Sequence, residues 1–231
     1  MRKTVSILFV MFLSCLCLQA QDDKNFITEL PDEFKDLDTV PRPQQYKSIH
    51  MIGVQYGVNI SNVSSTPTIG EQYAFTYTNF ALMYTYYQAL WDEMFNFGVS
   101  TGLKYGKEGY KSSYYPEFGE ICDIAEFPLL SQFKIDFSRF RIIANLGPYI
   151  GWRLRTDKPG GFDKFDQRFD YGLIAGAGFG IVFKPFEIHI EGNYKWAFAS
   201  MYHTNKTSDQ YWMFTYPRNI MINVGLYIHL W

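Results

Sequence analysis

Apolar and polar residues alternate along two long stretches of this chain. Between residues 94 and 106, the odd positions carry Phe, Val, Thr, Leu and Tyr, whereas the even positions carry Met, Asn, Gly, Ser and Lys. Residues 220–230 repeat the pattern, with Ile, Val and Leu on the even positions. Successive side chains of a β-strand point to opposite faces. Each stretch is therefore predicted to be a strand with one apolar face, long enough to cross a bilayer when tilted.

Glycines fall on the less apolar face of their strands. The residues concerned are Gly53, Gly57, Gly98, Gly102, Gly147, Gly151, Gly172, Gly176, Gly178, Gly180 and Gly225. A barrel of about eight strands has a lumen just wide enough for side chains, so its inner wall needs small residues. Placing the glycines inside puts Phe, Ile, Leu and Val outside, which lipid stabilises. A transmembrane barrel is therefore predicted; a soluble β-sandwich is the alternative, because turn-spaced strands occur in both classes.

Eight strands are predicted from residue 48 onward. They cover roughly 48–60, 73–87, 94–106, 119–133, 139–155, 169–184, 186–200 and 217–231. The connections alternate between long and short, as extracellular loops and periplasmic turns do. The predicted fold class is all-β: a closed, eight-stranded, antiparallel up-and-down transmembrane barrel with both termini in the periplasm. Pro128 and Pro148 lie inside strands, where each is expected to cause a bulge or a gap in the hydrogen-bond ladder.

The first 47 residues differ in composition from the strands. Basic residues precede an apolar run that ends near residue 20, which is typical of a cleaved secretory signal peptide. Cys15 and Cys17 leave a lipoprotein signal as the alternative. Residues 21–47 are rich in proline and acidic residues, so we expect a short disordered periplasmic tail. The predicted division is a signal peptide (1–20), the tail (21–47) and the barrel domain (48–231).

Composition and charge narrow the class of function. Aromatic residues make up 19% of the chain, which suits the aromatic girdles at the two rims of a membrane barrel. The formal net charge of −2 argues against a nucleic-acid partner. After signal cleavage Cys122 is the one remaining cysteine, so an internal disulfide is excluded. The sequence has no phosphate-cradling loop and no cluster with metal-ligand spacing, so neither a cofactor nor a metal is expected.

Four short motifs lie within predicted strands: GVQYGVN at 53–59, FGVSTGLKY at 97–105, EFPLL at 126–130 and GPYIG at 147–151. Their order resembles that of the PorT-like outer-membrane β-barrel family, and the resemblance covers residues 48–231. It implies an outer-membrane location in a Gram-negative bacterium. The founding member of that family is linked to type IX secretion and gliding, whereas most relatives have no assigned role.

Charged side chains on the predicted inner face are the main candidate site. They are Lys104, Glu126, Arg141, Arg153, Glu187, His189, Glu191 and Lys195. Charges removed from water persist when they are paired and hydrogen-bonded. We therefore expect a structural ion-pair network that fills the lumen. A path for protons, ions or peptides is the alternative, for which eight strands leave little room.

The predicted loops carry more aromatic residues than solvation alone requires. The set includes Tyr110, Tyr114, Tyr115, Tyr202, Tyr211 and Trp212. Exposed aromatic clusters suit contact with a partner protein or lipopolysaccharide, and Tyr114, Tyr115, Tyr211 and Trp212 are the candidates for it; a rim girdle is the alternative.

A catalytic alternative rests on His203, which has Ser200, Ser208 and Asp209 nearby in the sequence. This combination suggests a lipid-modifying enzyme at the outer rim. Catalysis needs a base within hydrogen-bond reach of a nucleophile, and residues spread along one loop rarely meet that condition. We therefore expect no enzyme and no catalytic residues.

The sequence thus predicts a non-catalytic outer-membrane barrel that serves as an interaction or assembly component of the envelope. The resemblance indicates type IX secretion or gliding as the process. Expected partners are outer-membrane lipid or lipopolysaccharide and proteins of an envelope or secretion complex. A small OmpX-like barrel with an adhesion or lipopolysaccharide-binding role is the main alternative, and a narrow porin is another.

Overall fold

Nine strands make up the regular structure of the part of the chain that is described. The computed structural model describes residues 48–68, 70–92, 95–114, 119–137, 139–203 and 214–230, so the predicted signal peptide and tail lie outside it. The strands are β1 (Ile49–Thr66), β2 (Glu71–Gln72), β3 (Ala74–Asp92), β4 (Phe95–Ser112), β5 (Glu120–Phe137), β6 (Phe140–Thr156), β7 (Phe169–Phe183), β8 (Phe186–Ala197) and β9 (Phe214–His229). Within the described ranges, no helix has the length and apolar character needed to span a membrane.

The eight long strands form a closed antiparallel ring. Each pairs with the long strands before and after it in sequence, and β9 pairs with β1 to close the ring. The two-residue strand β2 pairs with the end of β4. We call the end where β1 starts and β9 finishes the turn end, and the opposite end the loop end. The predicted eight-stranded up-and-down barrel is confirmed.

Apolar residues of the strands point away from the lumen. On β9, Ile222, Val224 and Leu226 are 49%, 53% and 45% exposed, whereas Asn223 and Tyr227 between and after them are buried. A water-soluble barrel has the opposite arrangement. Hydrocarbon is the solvent in which an apolar outer wall around a polar lumen is stable. The protein is therefore a transmembrane barrel of the outer-membrane type.

Glycines line the inner wall where neighbouring groups leave no room for a side chain. All the glycines predicted to face inward are buried or half-buried. A Cβ atom at Gly53 would lie 2.3 Å from the ring of Tyr227, which fills the lumen beside it. The small residues thus let large polar side chains occupy the inside of a narrow barrel.

Several strands extend further than predicted. At the loop end, β1 reaches Thr66 and β4 reaches Ser112, six residues beyond the predicted ends in each case. At the turn end, β5 continues to Phe137. A tilted strand needs about 9–11 residues to cross the bilayer. At the loop end, the additional residues lie beyond the apolar belt, where outward side chains are polar, so the apolar alternation stops there. At the turn end, the outward residues Ile135 and Phe137 of β5 are still apolar.

Pro128 and Pro148 interrupt the hydrogen-bond ladder, as expected. The β4–β5 pairing passes from Thr101–Leu129 to Lys104–Glu126, which leaves Pro128 without a partner on β4. The β5–β6 pairing passes from Pro128–Tyr149 to Ser131–Leu146, which leaves Pro148 without a partner on β5. Each proline keeps its pairing on the other side. A missing N–H donor is thus accommodated in a barrel without edges.

Candidate functional site

Six charged side chains form a network in the part of the lumen nearer the loop end. This upper network comprises Lys104, Glu108, Glu126, Arg153, Asp170 and Lys195. The Lys195 ammonium lies at its centre. Its Nζ atom is 2.6 Å from Glu108 Oε2 and 3.2 Å from Asp170 Oδ2, and it also pairs with Glu126. Three positive and three negative groups therefore neutralise one another away from water.

The two other cations complete the upper network. Arg153 Nε donates to Glu108 Oε1 at 3.2 Å, and its Nη2 atom is 3.3 Å from Asp170 Oδ1. Lys104 Nζ lies 3.4 Å from Glu126 Oε2. Arg153 Nη1 also donates to the carbonyl oxygen of Gln167 at 2.8 Å. The network is therefore tied to the loop that follows β6 as well as to the strands.

The carboxylates of the upper network have the spacing of a cation site. One oxygen atom from each of Glu108, Glu126 and Asp170 lies within 4.8 Å of the others. Lys195 contacts all three carboxylates. Its ammonium supplies the positive charge that a metal ion would bring, so these residues form an ion-pair network rather than a metal centre.

A second network lies nearer the turn end. This lower network comprises Lys134, Asp136, Arg141, Glu187, His189, Glu191 and His229. Glu187 is at its centre, because it pairs with Arg141 and His229 and lies 2.9 Å from His189 Nε2. Arg141 Nε also donates to Asp136 Oδ1 at 2.6 Å. The wall side chains of β5, β6, β8 and β9 are thereby joined across the lumen.

An apolar layer lies between the two networks. Leu130, Tyr149, Ile174 and Met221 pack together as a buried cluster in the middle of the lumen. The cavity beside this layer has a volume of about 20 Å³. A space of that size holds about one water molecule. Lys104 of the upper network and Glu191 of the lower network both line this cavity, so the layer lies between the networks without sealing one from the other.

Two loops cover the loop end of the lumen. Residues 157–168 and 198–203 pair through their backbones, with the Gln167 N–H donating to the Met201 carbonyl oxygen at 2.8 Å. Below them, the Tyr202 hydroxyl donates to Glu120 Oε2 at 2.6 Å, and Lys158 pairs with Glu120 and Asp166. Burial, together with the charge of Glu120, raises the pKa of Tyr202 above its usual range. Its hydroxyl therefore stays protonated and donates to Glu120, which ties the second of these loops to β5.

The eight predicted lumen residues all lie inside the barrel, in two groups. Lys104, Glu126, Arg153 and Lys195 belong to the upper network, and Arg141, Glu187, His189 and Glu191 belong to the lower one. Sequence reasoning missed Glu108, Asp170, Lys134 and Asp136. Glu108 lies past the predicted end of β4, and Lys134 and Asp136 lie past that of β5; continuing the inward alternation of each strand would have identified these three. Asp170 shares the inward face of β7 with Gly172, which would have identified the fourth.

The predicted loop aromatics have different surroundings. Tyr114 is 74% exposed, as a contact residue needs to be. Tyr115, Tyr211 and Trp212 lie outside the described residues. The expectation that Tyr110 and Tyr202 are exposed is wrong, since both side chains are buried. Tyr202 points from its loop into the lumen, where its hydroxyl lies 3.0 Å from the Tyr110 hydroxyl.

The residues of the catalytic alternative are only partly described. Ser200 Oγ accepts the backbone N–H of Thr215 at 3.1 Å, and the His203 side chain is exposed. Ser208 and Asp209 lie outside the described residues. In the part of the chain that is described, Ser200 is thus engaged in holding the start of β9, and its side chain is not hydrogen-bonded to His203.

We expect the protein to carry no current across a planar lipid bilayer. Within the described residues, the two networks and the apolar layer occupy the lumen, and the cavity between them has a volume of about 20 Å³. Single-channel recording of the purified protein, with a general porin as the positive control and protein-free detergent as the blank, tests this. Stable steps proportional to voltage, absent from the blank, would contradict it.

Comparison with known proteins gives a limited result. No protein-family model and no curated protein matches the sequence. Solved structures similar to this chain include Neisserial surface protein A (14% identity, 77% of this chain, 96% of that chain, TM-score 0.44). Another is the attachment invasion locus protein Ail of Yersinia pestis in complex with the heparin analogue sucrose octasulfate (13% identity, 78% of this chain, 99% of that chain, TM-score 0.39). A third is the outer membrane protein OprG from Pseudomonas aeruginosa (12% identity, 80% of this chain, 98% of that chain, TM-score 0.39). The membrane assignment rests on the outer surface of the barrel itself.

Proposed function

We propose that this protein is a non-catalytic outer-membrane barrel that acts as an interaction or assembly component of the bacterial envelope. One observation carries the proposal: the described lumen is occupied by paired charges and an apolar layer, and two loops cover it at the loop end. Transport and chemistry inside the barrel are therefore disfavoured. The surfaces outside the lumen, namely the loops and the N-terminal segment, are left to recognise partners.

The proposed topology places both termini in the periplasm and the loop end outside the cell. β1 begins beside the end of β9, since Met51 pairs with His229, so both ends of the barrel domain lie at the turn end. Connections at the turn end are short, as in Lys184-Pro185, whereas residues 157–168 and 198–213 at the loop end are long. Short periplasmic turns and long extracellular loops are the usual arrangement in bacterial barrels.

Type IX secretion or gliding is the process we propose, on the basis of the PorT-like motifs at 53–59, 97–105, 126–130 and 147–151. The acidic segment 21–47 would face periplasmic components, since disordered tails commonly fold on binding a partner. An adhesion or lipopolysaccharide-binding barrel is the second candidate, favoured by the exposed Tyr114 at the loop end.

A deletion strain complemented with two versions of the gene tests the proposal. The full-length protein is expected to restore the secreted proteins and to co-purify with envelope partners. A version lacking residues 22–47 is expected to insert in the membrane but to lose those partners and the secretion. A version with residues 22–47 in shuffled order, which keeps length and charge, is the matched control for composition.

Other outcomes point to the alternatives. Unchanged secretion in the deletion strain, with no stable partner, would remove the assembly function. An altered acylation pattern of lipid A in that strain would favour an enzyme centred on His203. Loss of adhesion with normal secretion would favour the second candidate.

A further inference from the structure

The outer wall of the barrel has a groove over strands β4 to β7. Eight residues line it, and its volume is about 270 Å³; they are Leu103, Ala125, Glu126, Phe127, Ile150, Gly151, Trp152 and Phe169. Leu103 is 66% exposed and Ile150 is 53% exposed, so the groove opens into the hydrocarbon that surrounds the barrel. Ala125 forms the floor together with Gly151, because these are the two small residues among larger ones and Ala125 is half-buried. We call this feature the wall groove.

A polar pocket lies next to the wall groove, towards the loop end. Its volume is about 260 Å³, and it is lined by Thr76, Lys107, Ile121, Asp123, Arg155, Thr156 and Asp157. Asp123 precedes Ala125 by two residues on the same face of β5, so the pocket begins about 7 Å beyond the groove floor. In the strand register, Asp123 lies opposite Lys107 on β4 and opposite Arg155 on β6. Apolar groove and polar pocket therefore follow one another along a single strand.

The charge of the pocket and the adjoining groove wall, taken together, favours an anion. Asp123 lies 3.6 Å from Lys107 Nζ, and Asp157 accepts the backbone N–H of Ile121 at 2.9 Å, so both carboxylates have donors. The Arg155 side chain is exposed. A further cation stands over the groove wall, because the Arg168 guanidinium carbon is 5.6 Å from the centre of the Trp152 ring. The pocket itself holds two cations and two carboxylates, so the positive charge in excess comes from Arg168 at the groove wall, whose Nε and Nη2 atoms also donate to the backbone carbonyl oxygens of Arg153 and Leu154.

We propose that the wall groove and the polar pocket together bind one phosphate-bearing membrane lipid. An acyl chain lies over Ala125 between Phe127 and Trp152, and the phosphate contacts Arg155 and Arg168. The order of the two halves matches a lipid of the leaflet at the loop end, whose headgroup lies beyond its chains. Arginine suits phosphate because its planar guanidinium donates two parallel hydrogen bonds. The site is independent of the assembly function proposed above.

Native mass spectrometry of the full chain in detergent micelles tests the site. The two probes are dioleoylphosphatidylglycerol and dioleoylglycerol, which share acyl chains and differ in the phosphate. We expect the phosphate-bearing lipid to be retained about tenfold more than the neutral one. Equal retention of the two probes would overturn the assignment of the headgroup.

Ala125→Leu fills the floor of the groove and is expected to lower retention of dioleoylphosphatidylglycerol by about tenfold. Ala177→Leu is the matched control, because Ala177 is exposed on β7 away from the groove and the substitution enlarges the side chain by the same amount. Retention by the control is expected to equal that of the wild type. Faster gel migration before boiling than after shows that each variant is folded. Equal retention by folded Ala125→Leu and wild type would overturn the site.

The double variant Arg155→Gln, Arg168→Gln separates the two halves of the site. Retention of dioleoylphosphatidylglycerol is expected to fall to the level of dioleoylglycerol, whereas retention of dioleoylglycerol stays unchanged. If the double variant keeps the preference for the phosphate-bearing lipid, the arginines do not bind the phosphate and the proposal fails.

Discussion

Replacing Lys195 by methionine is expected to destabilise the barrel by about 3–5 kcal/mol, because breaking a buried ion pair leaves an uncompensated buried charge. Lys195 is 1% exposed, and its ammonium holds Glu108, Glu126 and Asp170 around it. Methionine keeps most of the length of the side chain and its packing against the Tyr149 ring, which Lys195 Nζ approaches to 4.6 Å. The loss of stability therefore reports the missing charge rather than a cavity.

Urea unfolding of the purified protein in phospholipid bilayers measures this effect. Lys184→Met makes the same change in the exposed turn between β7 and β8, where we expect a shift within about 0.5 kcal/mol. Adding Glu126→Gln to Lys195→Met removes one of the stranded carboxylates and is expected to recover part of the loss. If Lys195→Met unfolds at the wild-type urea concentration, water reaches the upper network and the filled lumen is wrong.

The architecture was predictable because the bilayer acts on every second residue of a spanning strand. Alternation from Ile220 to Leu230 fixes which face of β9 meets lipid, and the glycine at Gly225 marks the face that meets the lumen. Where strands leave the hydrocarbon, this constraint ends. β1 beyond residue 60 and β4 beyond residue 106 alternate too weakly to be recognised, so both strands were predicted too short.

The lumen was predictable as a set of polar residues but not as two networks. Lys195 on β8 reaches Glu108 on β4, and these strands are not neighbours in the barrel. Such contacts depend on the tilt and stagger of all eight strands together. No spacing within the sequence encodes them. The apolar layer was not predictable for the same reason, since Leu130, Ile174 and Met221 come from three separate strands.

The covered mouth was the least predictable feature. Tyr202 lies in a stretch rich in polar and aromatic residues, which is typical of an exposed loop. Its burial results from the pairing of residues 157–168 with residues 198–203, and from the hydrogen bond to Glu120 on β5. A loop closes over a barrel only when its side chains find such partners in the wall, and those partners are distant in sequence.

Two glycine-to-alanine substitutions are expected to change stability in opposite directions. A Cβ atom at Gly172, on the inner wall, would lie 2.0 Å from the carbonyl oxygen of Trp196 on the neighbouring strand. That oxygen belongs to the backbone, so β7 and β8 must separate to admit the methyl group. Overpacking of this kind costs about 1–3 kcal/mol. Gly172→Ala is therefore expected to lower the free energy of unfolding by at least about 1 kcal/mol.

Gly192→Ala is the matched change on the outer wall of β8, where the nearest neighbour of a new Cβ atom is the Ala177 carbonyl oxygen at 3.9 Å. The methyl group fits there and restricts the unfolded chain, so a gain of about 0.4–1 kcal/mol is expected. Urea unfolding in bilayers, run side by side for both variants, gives the two signs. Equal effects of the two substitutions would mean that the inner wall has room for side chains, and the inward glycine face would then have no packing role.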